Sequence, residues 1–149
     1  MTNKSPMKIL RKEHDAVLKV LDALEGSIRK KDRASSQKSI KLLESEFNRH
    51  SLDKEEKALF PEIEKFIPRE GGPTGMMIME HRDLVDSIKR FKEELKSGNA
   101  ERTGMHIIDL LRQHISKENN ILFMMAEMHL DEKQKAAILR KFQGFDKAK

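Results

Sequence analysis

Four stretches of this sequence each carry an apolar stripe at helical spacing, and each stripe contains a histidine. Apolar residues that recur every three or four positions lie on one face of a helix, and that face must be buried against other elements. Four such helices joined by short loops predict an all-α fold, an up-down-up-down four-helix bundle. The four stripes are Met7, Leu10, His14, Val17, Leu21, Leu24 and Ile28; Ile40, Leu43, Phe47 and His50; Met77, His81, Leu84, Ile88, Phe91 and Leu95; and Ile107, Leu111, His114, Glu118, Leu122 and Met125.

Capping and breaking residues between the stripes predict where the helices start and stop. The predicted starts are Ser5-Pro6, Ser35-Ser36, Pro73 and the stop-and-cap pair Gly98-Asn99. The second helix is expected to run to about Phe66. Asp131 and Gln134 have capping-box spacing, which predicts a short C-terminal helix to about Phe142. No linker divides the chain, so we expect a single domain over residues 1–149.

The composition excludes several classes of partner. The chain has no cysteine, which rules out thiolate metal sites and suits a reducing cytoplasm. Its 30 basic and 25 acidic residues are mixed along the chain, as on a solvated helical surface, and there is no Tyr or Trp for base stacking. We recognise no signal peptide and no apolar run of membrane-spanning length. We therefore expect a cytoplasmic protein without nucleic-acid or membrane partners.

Histidines within the stripes are the residues most suggestive of function. A single core histidine is usually a hydrogen-bonded packing residue, but a bundle has no structural need for one on the inner face of every helix. His14 and His81 each lie eight residues after the proline that starts their helix, so both lie about 12 Å along parallel helices. The rings can therefore meet in one layer. His106 and His129 fall beside a stripe and near a helix end, and we predict that both are structural or solvated.

Glu118 is the strongest carboxylate candidate for this layer. It follows His114 by four residues and therefore shares a helix face with it. An unpaired carboxylate is costly to bury, and a cation at the same level removes that cost. Imidazole and carboxylate ligands without thiolate suit iron first, and manganese or zinc less well.

The second helix loses its regular phase after His50. Apolar positions resume one residue late at Leu59, and counting back four residues gives Glu55. Residues five apart on an α-helix point about 140° away from each other, because each step turns ~100°. We therefore predict a π-bulge or an equivalent kink within residues 50–56, with His50 and Glu55 both turned inward. Two alternatives stay open: Glu56 reaches the metal, or the second helix contributes one ligand only.

The segments from His50 to Pro61 and from His114 to Phe123 are similar to each other. With Glu13-His14-Asp15 and Glu80-His81, they resemble the hemerythrin-like (HHE cation-binding) family over nearly the whole chain. The resemblance implies a non-haem centre of two iron ions (Fe²⁺/Fe³⁺) joined by an oxo or hydroxo bridge. The ligands that it implies are the terminal histidines His14, His50, His81 and His114 and the bridging carboxylates Glu55 and Glu118.

Two features depart from the family pattern. His50 and Glu55 are five residues apart instead of four, so that Ser51 occupies the usual histidine position, and the stripes carry no fifth histidine.

Ferritin-like di-iron enzymes are the nearest competing class. Their Glu-x-x-His signature is absent, since none of the six histidines has a glutamate three residues before it.

Three functions remain open on the sequence. The first is binding of O₂, peroxide or nitric oxide for sensing, storage or delivery, which the lack of Tyr, Trp and Cys for radical or electron transfer favours. The alternative is a di-iron enzyme that acts on peroxide, nitric oxide or iron. The third is a helical interaction module with an incidental metal site. The sequence does not decide whether the protein is an enzyme.

Overall fold

The computed structural model describes residues 5–147, a range that is mostly helical and contains no strand. This confirms the all-α prediction. Helix α1 spans Pro6–Arg29 and starts as predicted, since the Ser5 hydroxyl accepts a hydrogen bond from the Met7 N–H at 3.2 Å. None of the helices in this range combines the length and the apolarity that a bilayer crossing requires.

The second helical segment (residues 33–63) is continuous but changes its hydrogen-bonding pattern along its length. It comprises α2 (Arg33–Phe47), the π-helix π1 (Asn48–Leu59) and the short α3 (Phe60–Ile63). The segment starts earlier than predicted because the Asp32 side chain, which accepts from the Ser35 N–H at 3.1 Å, is the cap. It also ends before Phe66.

Helix α4 (Pro73–Ser97) is the third helical segment, and it ends at Gly98, whose φ of 77° is typical of a glycine C-cap. The fourth helical segment (residues 101–129) comprises α5 (Glu101–Lys117), the π-helix π2 (Glu118–Leu122) and α6 (Phe123–His129). Its N-cap position is held by Ala100, so the predicted cap at Asn99 is wrong.

Helix α7 (Glu132–Lys147) follows the fourth segment. The predicted capping box is present: the Asp131 N–H donates to Gln134 Oε1 at 3.1 Å, and the Gln134 N–H donates to Asp131 Oδ1 at 2.7 Å. The helix is longer than predicted, since it continues past Phe142 to Lys147. It packs against π1.

The four helical segments enclose a common interior. Helix α1 contacts α2 and α5, and α4 contacts the same two helices. The buried apolar side chains form two separate clusters, one containing Val17, Phe47, Leu84 and Leu111, the other containing Leu10, Leu59, Ile78 and Leu122. In every segment the predicted ligand histidine lies, along the chain, between residues of the two clusters. These histidines are His14, His50, His81 and His114. A polar layer thus interrupts the core.

Candidate metal centre

All six predicted ligand residues converge in this polar layer. Each is at most 4% exposed. They form two overlapping groups, and within each group one nitrogen or oxygen atom per residue lies within 4.8 Å of all the others. We call the groups the His14 subsite (His14, His50, Glu55 and Glu118) and the His81 subsite (His81, His114, Glu55 and Glu118).

The two glutamates divide their oxygens between the subsites. Glu118 places Oε1 2.9 Å from His14 Nε2 and Oε2 3.2 Å from His114 Nε2. Glu55 places Oε2 3.2 Å from His50 Nε2 and Oε1 3.2 Å from His81 Nε2. Each carboxylate therefore has the geometry of a bridge between two histidine pairs.

The buried carboxylates lack the hydrogen bonds that such groups normally require. Both oxygens of Glu55 and Oε2 of Glu118 have no hydrogen-bond partner within the described range. Leaving a buried ionised group unsatisfied is strongly unfavourable, and cations in the two subsites would compensate it. Nitrogen and oxygen ligands of this kind fit iron, manganese or zinc. The residues present therefore fit a pair of metal ions.

Helix π1 explains how the second segment supplies two ligands. In a π-helix the N–H of residue i+5 bonds to the C=O of residue i, as the Phe60 N–H does to the Glu55 carbonyl. Each hydrogen-bonded loop of a π-helix contains one residue more than that of an α-helix. His50 and Glu55 can therefore both face inward, although they are five positions apart. The predicted irregularity is confirmed, and it is longer than a single bulge.

Helix π2 was not predicted. It begins at Glu118, and the Phe123 N–H bonds to the Glu118 carbonyl. The apolar stripe of the fourth segment shows no phase shift, so the sequence carries no signal for this irregularity.

The outer nitrogen of every candidate ligand histidine has an oxygen partner. The Nδ1 contacts are His14 with Asn119 (2.8 Å), His50 with Glu13 (2.9 Å), His81 with Glu56 (2.6 Å) and His114 with Glu80 (2.7 Å). Because carboxylate and amide oxygens only accept, each Nδ1 carries a proton, and Nε2 is the ring nitrogen that faces the layer and becomes free to bind a metal once it is deprotonated. These partners fix the ring orientations that metal binding requires.

None of these outer partners was predicted from the sequence. Glu13 and Glu80 directly precede His14 and His81, but each accepts from the histidine of a neighbouring helical segment. The Glu56 alternative is wrong in this geometry, since Glu56 contacts the outer nitrogen of His81 and the second segment already brings two residues to the layer.

Two lysines complete the outer contacts. Lys54 pairs with Glu13 and Lys117 with Glu80. Lys54 is only 1% exposed, and it also lies 3.2 Å from Asp146 on α7. The burial of Lys54 was not predicted from the sequence, because lysine is rarely buried.

The carboxylates shift the pKa values of the histidines in the ion-free layer. Burial alone would lower the pKa of His114, but the nearby negative charge of Glu118 outweighs burial and raises the pKa to about 10. The pKa values of His50 and His81 are also raised, against the effect of burial, by nearby glutamates that include Glu55. Metal ions must therefore displace protons from these rings.

The two remaining histidines lie outside the layer, as predicted. His106 is half exposed and lies 3.1 Å from Asp83. His129 is exposed near the end of α6, with its ring 4.9 Å from that of Phe66.

Comparison with known proteins identifies a family and several curated relatives. The family model described as "Hemerythrin HHE cation binding domain" matches residues 5–126. The chain is 36% identical over 101 residues to proteins named iron-sulfur cluster repair protein YtfE from Salmonella schwarzengrund, Salmonella paratyphi B and Salmonella newport. The alignment covers 60% of this chain and 46% of each relative, so the chain matches about half their length. No solved structure gives a significant match.

Proposed function

The chain belongs to the hemerythrin HHE cation-binding domain family, and on this basis we propose that its residues form one domain that holds a di-iron site, with an up-down-up-down arrangement of the four helical segments. In this proposal His14 and His50 hold one ion, and His81 and His114 hold the other. Glu55 and Glu118 bridge the two. The absence of cysteine is compatible with a cytoplasmic location, which we include in the proposal.

The observation that carries the proposal is the division of each buried carboxylate between two histidine pairs. Two carboxylates at one level repel each other, and three of their four oxygens lack hydrogen bonds within residues 5–147. Histidine rings lie near these oxygens, but their contacts do not have hydrogen-bond geometry. A pair of cations would satisfy all of them at once, and two histidines and the two shared glutamates could hold each cation.

Four protein donors leave coordination positions for an external ligand. A cavity of about 10 Å³ adjoins the His14 subsite and is walled on its apolar side by residues that include Val17, Phe47 and Leu111. A cavity of this size has room for about one water-sized molecule. We propose that the ligand is O₂ or a molecule of similar size, such as nitric oxide or peroxide, and that its uptake serves sensing, storage or delivery.

The protein's own residues orient and enclose this site. Glu13, Glu56 and Glu80 hold three histidine rings by their outer nitrogens, and Asn119 holds the fourth. The apolar clusters on both sides of the layer exclude water. Bound iron would supply the redox chemistry and the ligand coordination that imidazole and carboxylate groups cannot supply by themselves.

Similarity to the YtfE proteins favours a second candidate function. Those relatives are named for iron-sulfur cluster repair, and this chain would then act by handling iron. To separate the functions, the anaerobic di-ferrous protein is mixed with excess peroxide, and separately with an iron-sulfur apoprotein. One stoichiometric oxidation without iron transfer supports the small-ligand binder, whereas repeated peroxide loss or iron transfer supports the alternative.

Metal stoichiometry tests the di-iron proposal itself. Protein reconstituted anaerobically with ferrous iron should bind close to two equivalents, and oxidation should give the near-ultraviolet absorption of a bridged ferric pair. His81→Ala and His114→Ala should lose metal and melt at lower temperature, because bound metal contributes folding free energy. The control His129→Ala should do neither. Binding of one equivalent, or firm preference for a single zinc ion, contradicts the proposal.

A further inference from the structure

The two subsites are related by an approximate internal repeat. Phe123 stacks on His14 with ring centroids 5.3 Å apart, and Phe60 stacks on His81 at 5.9 Å. The contacts among His50, Glu13 and Lys54 repeat as those among His114, Glu80 and Lys117. The repeat makes any difference between the subsites easy to locate.

One pair of corresponding positions breaks the repeat. Glu56 follows the bridging Glu55 and accepts from His81 Nδ1, whereas Asn119 follows the bridging Glu118 and accepts from His14 Nδ1. The outer partner is therefore an anion in the His81 subsite and a neutral amide in the His14 subsite.

Nearby charges extend this difference. The Arg11 guanidinium donates to the backbone carbonyl of Asn119 at 3.1 Å. It also lies 6.0 Å from the centre of the Phe123 ring that stacks on His14. Lys8 and Lys12 line the same surface groove as Asn119, with Asp15 as its one acidic residue. The depression beside Glu56 is lined by Arg82 and Asp86, whose charges are opposite. The His14 subsite is thus the more positive of the two.

We propose that the two subsites bind metal unequally, with the first ion held by His81 and His114 and the second held more weakly by His14 and His50. A carboxylate that accepts from Nδ1–H makes Nε2 a stronger donor and adds negative charge near the ion, and an amide does so less. Loss of such an outer partner typically changes metal affinity about 10- to 100-fold. The inference rests on the proposed two-ion function, and it identifies the His14 subsite as the one that fills last and empties first.

Zinc is a suitable probe because it is diamagnetic and accepts the same ligands. Metal-free protein with ¹⁵N-labelled histidine receives one equivalent of Zn²⁺, and the ring-nitrogen resonances are followed by NMR. We expect His81 and His114 to shift first, and His14 and His50 to shift only with the second equivalent. Equal partial shifts of all four rings at one equivalent would overturn the inference.

Substitutions that exchange the outer partners test the cause. Glu56→Gln should weaken the first ion about 10- to 100-fold, and Asn119→Asp should strengthen the second by a similar factor. The double variant should reverse the filling order. The control Asn120→Asp adds the same charge one residue away, at an exposed position that contacts Ser116, and should leave the order unchanged. An unchanged order in the double variant overturns the inference.

Two further outcomes are informative. If Glu56→Gln prevents folding, Asn119→Asp alone decides: a stronger second ion supports the inference, and an unchanged one overturns it. If excess metal never fills a second subsite in the unsubstituted protein, the two-ion function fails. A single ion found at His81 and His114 would still support the inequality.

Discussion

The Glu13–Lys54 pair and the Glu80–Lys117 pair make the same contacts in different surroundings. Lys54 is 1% exposed, and it lies beneath α7, where its Nζ is 5.5 Å from the centre of the Phe142 ring. The Lys117 side chain is 36% exposed. Helix α7 lies beyond the residues that match the family model, so a further helix encloses one pair while the other remains at the surface.

The same pair of residue types therefore includes a buried lysine in one half of the molecule and a partly exposed lysine in the other. A charge at the surface is solvated whether or not its partner is present, so losing the partner costs little. Lys54 is shielded from water beneath α7 and depends on its carboxylate partners, whereas Lys117 keeps part of its hydration; the two glutamates are about equally exposed.

The largest effect is expected from removing the lysine charges. Lys54→Met should destabilise the metal-free protein by about 3 kcal/mol, because the lost cation is buried and pairs with both Glu13 and Asp146. Lys117→Met should cost less than about 1 kcal/mol. Urea unfolding of both variants, followed by circular dichroism, measures the two values. Equal costs would show that burial under α7 does not distinguish the pairs.

A deletion tests a second difference between the two halves of the site: the π-helix π1 is longer than π2. Lys54 follows His50 by four residues, whereas Lys117 follows His114 by three. Deleting Ser51 should shorten π1 to the spacing of the fourth segment and keep both metal equivalents, at a stability cost of about 1–2 kcal/mol for the loss of a buried side chain. Metal titration and thermal melting check both parts. Loss of metal binding would show that the longer π-helix is required.

Acid should affect the enclosed pair more than the exposed pair. Burial by itself would raise the pKa of Glu13, but hydrogen bonds and charge from His50 and Lys54 lower it to about 2. A lowered folded-state pKa stabilises the protein above the unfolded-state value near 4.5, and that contribution is lost as the pH falls toward 2. The pKa of Glu80 is also lowered, chiefly by its hydrogen bond to His114.

Glutamine variants measure these two contributions. Glu13→Gln should flatten the fall in unfolding free energy of the metal-free protein between pH 5 and pH 2 more than Glu80→Gln does, because it removes the carboxylate with the stronger buried contacts. Urea unfolding at a series of pH values gives the slopes. The opposite ranking would show that Glu80 contributes more than Glu13 to the pH dependence of stability.

The inward histidines were predictable because a stripe defines which face of its own helix a residue occupies. His14 and His81 lie in phase with their apolar neighbours, and nothing beyond one helix is needed to assign them. The π1 irregularity was predictable for the same reason, since it shifts the phase between Phe47 and Leu59. Each stripe therefore gives information only about its own helix.

The outer partners were not predictable because they depend on how neighbouring helices are rotated and aligned. Glu13 accepts from His50 and Glu80 from His114, both across a helix interface, and no single stripe encodes that pairing. Lys54 was missed because its burial depends on α7, whose position the capping box does not determine. The difference between Glu56 and Asn119 became meaningful only when both were found on equivalent ring nitrogens.

The smallest effect is expected from Asp146, and it separates two causes of the Lys54 result. Asp146 is half exposed and its Oδ1 lies 3.2 Å from Lys54 Nζ, so it belongs to both α7 and the enclosed pair. Asp146→Asn should cost only about 0.5 kcal/mol and lose its effect at high salt, as a solvated ion pair does. Asp53→Asn, which breaks the exposed pair with Lys57, is the control and should behave alike. If Asp146→Asn instead costs as much as Lys54→Met, the role of Lys54 is to dock α7. If its cost is small, the stability that Lys54 provides comes from neutralising Glu13 beside His50.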